Sequence, residues 1–299
     1  MSSPSWQVPG KTVLITGAAR GIGAECARRL ASRGMKVSLV GLEPDELQRV
    51  AEDCGPDAAW FEADVTDSDQ LQAAVDGTVE RFGSVDVVIA NAGIAMGGPV
   101  RLADQAAFER VIEINLFGVY RTVRACLPQI VDNQGYVLIV ASAAAIFHSP
   151  GMAAYSASKA GVEAFGNALR TEMRHLGVDV GVAYFSWIDT EMVRGADRHP
   201  ALGGMRAKLP KAIRKTYPVS AVGDAVVEGV DERARVVAVP KAFLRTVMPL
   251  RGMLTRVTER NSADGFVQME KAFQQDIAER GADAASRPVG AGGAAGSRD

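Results

Sequence analysis

Cysteine is scarce. The three that occur, Cys26, Cys54 and Cys126, are far apart and odd in number, which excludes a disulfide framework and fits a reducing compartment. An excess of either charge is also missing: 33 Lys plus Arg against 35 Asp plus Glu leave a net charge of -2, with no overall pull toward nucleic acid. The histidines, His148, His175 and His199, have no metal-ligand spacing among themselves or with the cysteines, so no metal site is expected. No apolar run is long enough to span a bilayer. The longest, Val137 to Phe147, contains Ser142 and small alanines and reads as a buried strand entering a loop. The opening residues, MSSPSWQVPG, lack the apolar stretch of a signal peptide, and a cytoplasmic protein is expected.

With 47% hydrophobic residues in a chain of 299, there is ample material for a large core. Up to residue 190, short β-branched runs alternate with helical patterns. Strands are expected at Lys11–Thr16, Lys36–Val40, Ala58–Glu62, Val85–Ala90, Gly135–Ala141 and Asp179–Phe185. Helices are expected at Gly21–Arg33, Pro44–Asp53, Ser68–Phe82, Asp104–Leu116 and on to Val131, and Ala153–Leu176. Such alternation implies right-handed crossovers and a doubly wound α/β sheet of about seven parallel strands with helices on both faces. Ligands of these sheets sit at the carboxyl ends of the strands. Residues 1–239 are read as one catalytic domain, closed by a seventh strand at Ala234–Val239, with a substrate lid at about 191–217. A C-terminal helical extension is expected at 240–280. Residues 281–299, rich in Gly, Ala and Ser, are expected to be disordered.

Thr16 to Gly23 reads TGAARGIG and stands between the first strand and the first helix. Glycines there allow a tight turn and a close backbone approach, and the helix start presents free N–H groups to a pyrophosphate. Dinucleotide binding on a Rossmann-type sheet follows. The spacing, Gly17-x-x-x-Gly21-x-Gly23, resembles the short-chain dehydrogenase/reductase family. The resemblance continues at Asn91-Ala92-Gly93, Asn115, Ser142, Tyr155-Ser-Ala-Ser-Lys159 and Thr190, and covers about Val8 to Val239.

Tyr155 and Lys159 are four apart in a helical stretch and emerge on one face. An ammonium beside a phenol favours the phenolate and lowers its pKa. The resemblance implies that Tyr155 is the general acid/base, that Lys159 supports it and holds the nicotinamide ribose, and that Ser142 orients the substrate oxygen. It implies that Asn115 helps hold a water in a relay to Lys159; bonding of that side chain to backbone is the alternative. It also implies that Gly17, Arg20, Gly21, Ile22 and Gly23 bind the cofactor phosphates, that Asp64 and Val65 meet the adenine, and that Asn91, Ala92 and Gly93 line its ribose. Ile188 and Thr190 would meet the nicotinamide. One departure stands out: Phe185-Ser186 occupies the place of the family's Pro-Gly.

The position at which NAD-selective relatives carry an acid is Gly41 here, and Glu43 falls two residues late. Arg20 resembles a position that grips a 2′-phosphate, so NADP(H) is expected ahead of NAD(H). Met192, Leu202, Met205, Leu209 and Ile213 give the lid an apolar lining, which fits a lipophilic alcohol or carbonyl; docking of the lid itself needs the same residues. Lys241–Val257 interleaves basic and apolar residues, and packing on the protein is expected ahead of peripheral membrane contact. The resemblance favours a homo-oligomer, dimer or tetramer. The expected activity is NAD(P)-dependent interconversion of a secondary alcohol and a carbonyl. The alternatives are a non-catalytic nucleotide-binding sensor or scaffold, and an epimerase or dehydratase on the same fold.

Overall fold

Strands buried on both faces read as unbroken apolar runs, and this chain has several of them. The computed structural model describes residues 6–204, 206, 214–242 and 251–290, with side chains from 265 onward in the last segment. In chain order the elements are β1 (Thr12–Thr16), α1 (Gly21–Ser32), β2 (Lys36–Gly41), α2 (Pro44–Cys54), β3 (Ala58–Glu62), α3 (Ser68–Phe82), β4 (Val87–Ala90) and α4 (Gln105–Ile112). A π-helical turn (Glu113–Phe117) leads into α5 (Gly118–Asp132), followed by β5 (Tyr136–Val140), α6 (Ala153–Met173), β6 (Asp179–Phe185) and α7 (Glu191–Arg198). Then come α8 (Val219–Asp231), β7 (Val236–Val239), α9 (Arg251–Arg280) and α10 (Ala282–Ser286).

The strands form one seven-stranded parallel sheet in the order β3-β2-β1-β4-β5-β6-β7. β1 pairs with both β2 and β4, so the winding direction reverses there, and a crevice opens at the carboxyl ends of those strands. Alternate residues feed two cores. Leu14, Val88 and Ile139 face a layer with Val75 of α3, Val123 of α5 and Val162 of α6. Val13, Ile15, Ile89 and Leu138 face the other, with Ala27 of α1, Leu47 of α2 and Val226 of α8. At the amino edge the buried Asp86 carboxylate joins β1 to β4. It accepts from Lys11 Nζ (2.9 Å), the Thr12 amide (2.9 Å) and Ser84 Oγ (3.0 Å), which offsets the cost of burying its charge.

Two parts of the chain differ from the sequence expectation. α8 was not anticipated, because its segment is rich in Val and interrupted by Gly223 and Gly229, a poor helical signature. Tertiary contact supplies what propensity does not: a Cβ on Gly223 would lie 2.9 Å from Arg29 Cγ, and Arg29 reaches Asp224 at 2.6 Å. The disorder expected over 281–299 does not hold for its described part. Ala285 and Ser286 of α10 are buried, and Ser286 Oγ accepts from the Asp104 amide at 2.9 Å. Ala285 packs there with Ala201 and Phe273. Residues 291–299, Met205 and Lys208 to Ile213 of the lid lie outside the described residues, as do residues 243–250 of the basic apolar stretch.

β6 and β5 meet at a notch. A Cβ on Gly181 would lie 2.1 Å from the Tyr136 hydroxyl, which itself donates to Ala234 O at 2.7 Å. Gly181→Ala therefore overpacks the sheet and should cost about 2 kcal/mol, or ~5 °C in Tm. Gly204→Ala, where no described residue lies within 4 Å, should leave Tm unchanged. Circular-dichroism melts of both variants check this, and equal Tm values would count against it.

Candidate active site

The cleft at the carboxyl ends of the strands has a volume of about 520 Å³. Its floor is set by how β1 and β4 end. The Asn91 Nδ2 donates to Thr16 O (3.0 Å) and Gly17 O (3.2 Å), and the amides of Asn91 and Ala92 donate to Thr16 Oγ1 (3.2 and 3.3 Å). Gly17 turns at φ +64° and lies so near Ala92 that an added Cβ would be 2.8 Å from its Cα. Gly23 meets Gly17 O and Asn91 Nδ2 in the same way, at 2.3 and 2.8 Å. The loop is thus folded over Asn91, and α1 starts at its far side with no side chain capping the first turn. Gly21 and Ile22 line the cleft there, and Thr190 stands opposite, 3.6 Å from a Cβ on Gly21. An open helix start facing a glycine floor is a cradle that fits a pyrophosphate.

Across the cleft, α6 carries Tyr155 on its first turn and Lys159 one turn later, both lining the cavity. Ser142, just after β5, donates to Phe185 O at 3.5 Å, accepts from the Ala144 amide at 3.1 Å, and its hydroxyl draws the pKa of Tyr155 down. Lys159 Nζ donates to Val140 O at 2.9 Å and lies 5.8 Å from the centre of the Tyr155 ring. Burial pushes the Lys159 ammonium down to about 8. The sequence reading had a neighbouring ammonium lowering the Tyr155 pKa. The direction here is the reverse: burial raises it, against the opposing pull of the Ser142 hydrogen bond. The physical reason is the apolar surroundings, in which Tyr155 packs with Ala95, Met192, Leu202, Met269 and Val289.

Asn115 sits in the π-helical turn, a widening that lets its amide reach sideways. Its Oδ1 accepts from the Ile94 amide (2.8 Å), while its Nδ2 donates to Ile94 O (2.9 Å) and Ser158 Oγ (3.1 Å). Those bonds clamp the turn after β4. Gly93 stands between Asn115 and Lys159: a Cβ there would be 3.2 Å from Asn115 Oδ1 and 3.5 Å from Lys159 Nζ. At the adenosine end, the Asp64 carboxylate accepts from the Thr66 amide and hydroxyl (both 2.8 Å) and from Arg110 (3.3 Å), beside the buried Val65. Ile188 is buried, and its loop pairs with Tyr217: the Tyr217 amide donates to Trp187 O (2.8 Å) and the Asp189 amide to Tyr217 O (2.9 Å). That bridge, with the Ser186 amide on Val239 O at 3.0 Å, holds the loop where Phe185-Ser186 replaces Pro-Gly.

Arg20 is not free to receive an anion. Its guanidinium forms a two-pronged ion pair with Glu43, bonds Glu191 at 3.0 Å and lies 4.0 Å from Glu46; the Glu43 and Glu191 contacts raise its pKa. Sequence spacing missed Glu43, because it is the N-cap of α2 and the bend there (φ -123°, ψ 84°) brings it back to the cleft. It also missed Thr16, Val289 and Gly290. The last two line the cleft although they follow Thr190 by some 100 residues, in a stretch whose composition carries no signal.

Residues 11–201 match the family model described as short chain dehydrogenase. The chain is 35% identical over 207 residues to trans-4-hydroxycyclohexanecarboxylate dehydrogenase of Sinomonas cyclohexanicum, covering 66% of this chain and 80% of that one. It is 33% identical over 198 residues to 11-beta-hydroxysteroid dehydrogenase A of Sesamum indicum, covering 64% and 56%. Among solved structures, levodione reductase superposes with a TM-score of 0.69 at 27% identity, over 77% of this chain and 96% of that one. A short chain dehydrogenase/reductase from Burkholderia phymatum in complex with NAD superposes with a TM-score of 0.71 at 24% identity, over 84% and 96%, a likeness of fold. With its glycine loop, its sheet order and its Ser142, Tyr155 and Lys159 at one cleft, the chain belongs to the short chain dehydrogenase family of oxidoreductases.

Proposed function

We propose that the protein is an NAD(H)-dependent oxidoreductase that interconverts a secondary alcohol and a ketone on a lipophilic substrate. The observation that carries the reading is the hydroxyl pair of Ser142 and Tyr155 lining one cleft, with Lys159 one turn further along α6 and an apolar cluster packed against Tyr155. When bound, the nicotinamide supplies or takes the hydride at the substrate carbon. The chain's own residues handle the oxygen. Ser142 orients it by hydrogen bonding. In reduction, Tyr155 gives its hydroxyl proton to the oxygen as charge develops there, and in oxidation it takes that proton back. Burial keeps Tyr155 protonated, which suits donation, and the charged Lys159 limits the cost of the phenolate left behind. Asn115 acts by position, keeping the turn after β4 in place beneath Lys159.

The choice of NAD(H) over the NADP(H) expected from sequence is supported by the charges around Arg20. A 2′-phosphate would have to displace Glu43 and then lie against Glu43 and Glu46, whereas ribose hydroxyls donate readily to a carboxylate. A homo-oligomer is supported by the exposed aromatic face of the π turn and α5, where Phe117 and Tyr120 are 47% and 48% exposed. Three unpaired cysteines support a cytoplasmic setting, and no helix of the described residues is long and apolar enough to cross a membrane.

Tyr155→Phe should lower turnover by about 10²-fold or more and leave NADH affinity within a factor of about three. Undiminished turnover in that variant would sink the assignment. In fluorescence titrations the wild type should bind NADH more tightly than NADPH, and Glu43→Gln should shift the ratio toward NADPH by about tenfold. A wild-type preference for NADPH would overturn the reading of Glu43. Reduction needs the proton on Tyr155 and the charge on Lys159, and rising pH removes both. Its kcat/KM should therefore be level at neutral pH and fall as pH passes about 8, with Lys159→Arg moving that fall upward. A profile that stays flat through pH 9 would count against Lys159.

A further inference from the structure

Beyond β7, and outside the 11–201 family match, the chain returns to the rim of the cleft. Its second half of α9 is seated on glycines. A Cβ on Gly98 would lie 2.7 Å from the ring of Phe273, and one on Gly151 would lie 2.7 Å from Met269 Cε. The Gly98 amide donates to Gly151 O at 2.8 Å, so both notches belong to one seat formed by the loops after β4 and before α6. Further on, the Val289 amide donates to Ala95 O at 2.9 Å, and Gly290 lies against Gly195 of α7, its amide 2.7 Å from where a Cβ would stand. The lid helix is tied to the same arm: His199 stacks on Phe273 with ring centres 6.4 Å apart, and its Nε2 is 3.3 Å from Ala285 O. Met269 and Val289 end up in one apolar cluster with Tyr155 and Met192, and Val289 lines the cleft itself.

We propose that residues 265–290 are the substrate-selecting wall of the site, and that Met269 and Val289 set the size and polarity of the molecule admitted beside Tyr155. The proposal rests on the alcohol and ketone reading above only for the kind of molecule. The cluster around Tyr155 is aliphatic, aromatic and thioether in character, and none of its described members carries a charge. A carboxylate brought against it would lose its water, while the cations of the cleft are already engaged, Lys159 with Val140 O at 2.9 Å and Arg194 with Asp189 at 2.7 Å. A neutral, compact cyclic ketone fits, in contrast to the acid in the name of the Sinomonas relative.

The test compares cyclohexanone, 4-tert-butylcyclohexanone and 4-oxocyclohexanecarboxylate as substrates with NADH. The wild type should favour the neutral ketones over the carboxylate. Met269→Ala and Val289→Ala should raise kcat/KM for the tert-butyl ketone relative to cyclohexanone by about tenfold, chiefly through KM. An unchanged ratio in both variants, or a wild-type preference for the carboxylate, overturns the proposal. If the wild type reduces none of the three, the ketone reading fails and the wall is judged by binding of 1-aminoanthracene, a neutral apolar fluorophore. Loss of dye binding in Val289→Trp by about tenfold or more, with NADH binding kept, supports the wall. Dye binding that is absent in the wild type, or that is indifferent to the substitution, overturns it.

Discussion

One side-chain amide holds the dinucleotide half of the site in place. Asn91 ends β4, yet its Nδ2 bonds the carbonyls at the end of β1, across the point where the sheet reverses its winding. A crevice at such a point tends to splay, because the crossovers on its two sides run in opposite directions. Asn91 and Thr16 close the gap with backbone partners, and the glycine loop is folded over them. Gly17 and Gly23 are thereby committed to close contact before any cofactor is present. The cradle is preorganised by the same bonds that join the halves of the sheet.

The other half of the site is governed by desolvation. Burial raises the pKa of Tyr155 and draws that of Lys159 down to about 8, so it moves the two apart: the phenol keeps its proton through neutral pH while the ammonium becomes the readier acid. The apolar wall thus tunes the acid as well as enclosing it. Water exclusion also strengthens the hydrogen bond from Ser142, which is the contact that opposes the rise at Tyr155.

How much of this is legible in the sequence depends on distance along the chain. The parallel sheet could be read because each strand is a short buried run with a helical pattern behind it, as in Thr12–Thr16 before Gly21–Ser32. Ser142, Tyr155 and Lys159 could be read through their resemblance to the family's motifs, since the four-residue spacing alone describes any exposed helix face, and the fold brings them to one cleft. Glu43 could not, since its role comes from a bend at a helix start and from the long reach of Arg20. α8 was hidden by its glycines, which serve contact with α1 and β7 and work against helix formation. The wall was hidden twice over: its last ten residues, GADAASRPVG, are mostly small, and the glycines that seat it, Gly98 and Gly151, read as ordinary loop punctuation.

The link between Val289 and Ala95 has a consequence for the order in which the site is assembled. The two residues are 194 positions apart, and closing a loop of that length carries an entropic cost that the sheet pairs between neighbouring strands do not bear. The dinucleotide cradle, built from Thr16 to Asn91, is complete once the first four strands have paired. The substrate chamber is complete only when the arm arrives, tied among the described residues by Val289 to Ala95, Ser286 to Asp104 and Glu270 to Arg101. Loss of the arm's contacts alone would unmake the chamber and leave the sheet and the cradle folded, since neither draws a bond from it.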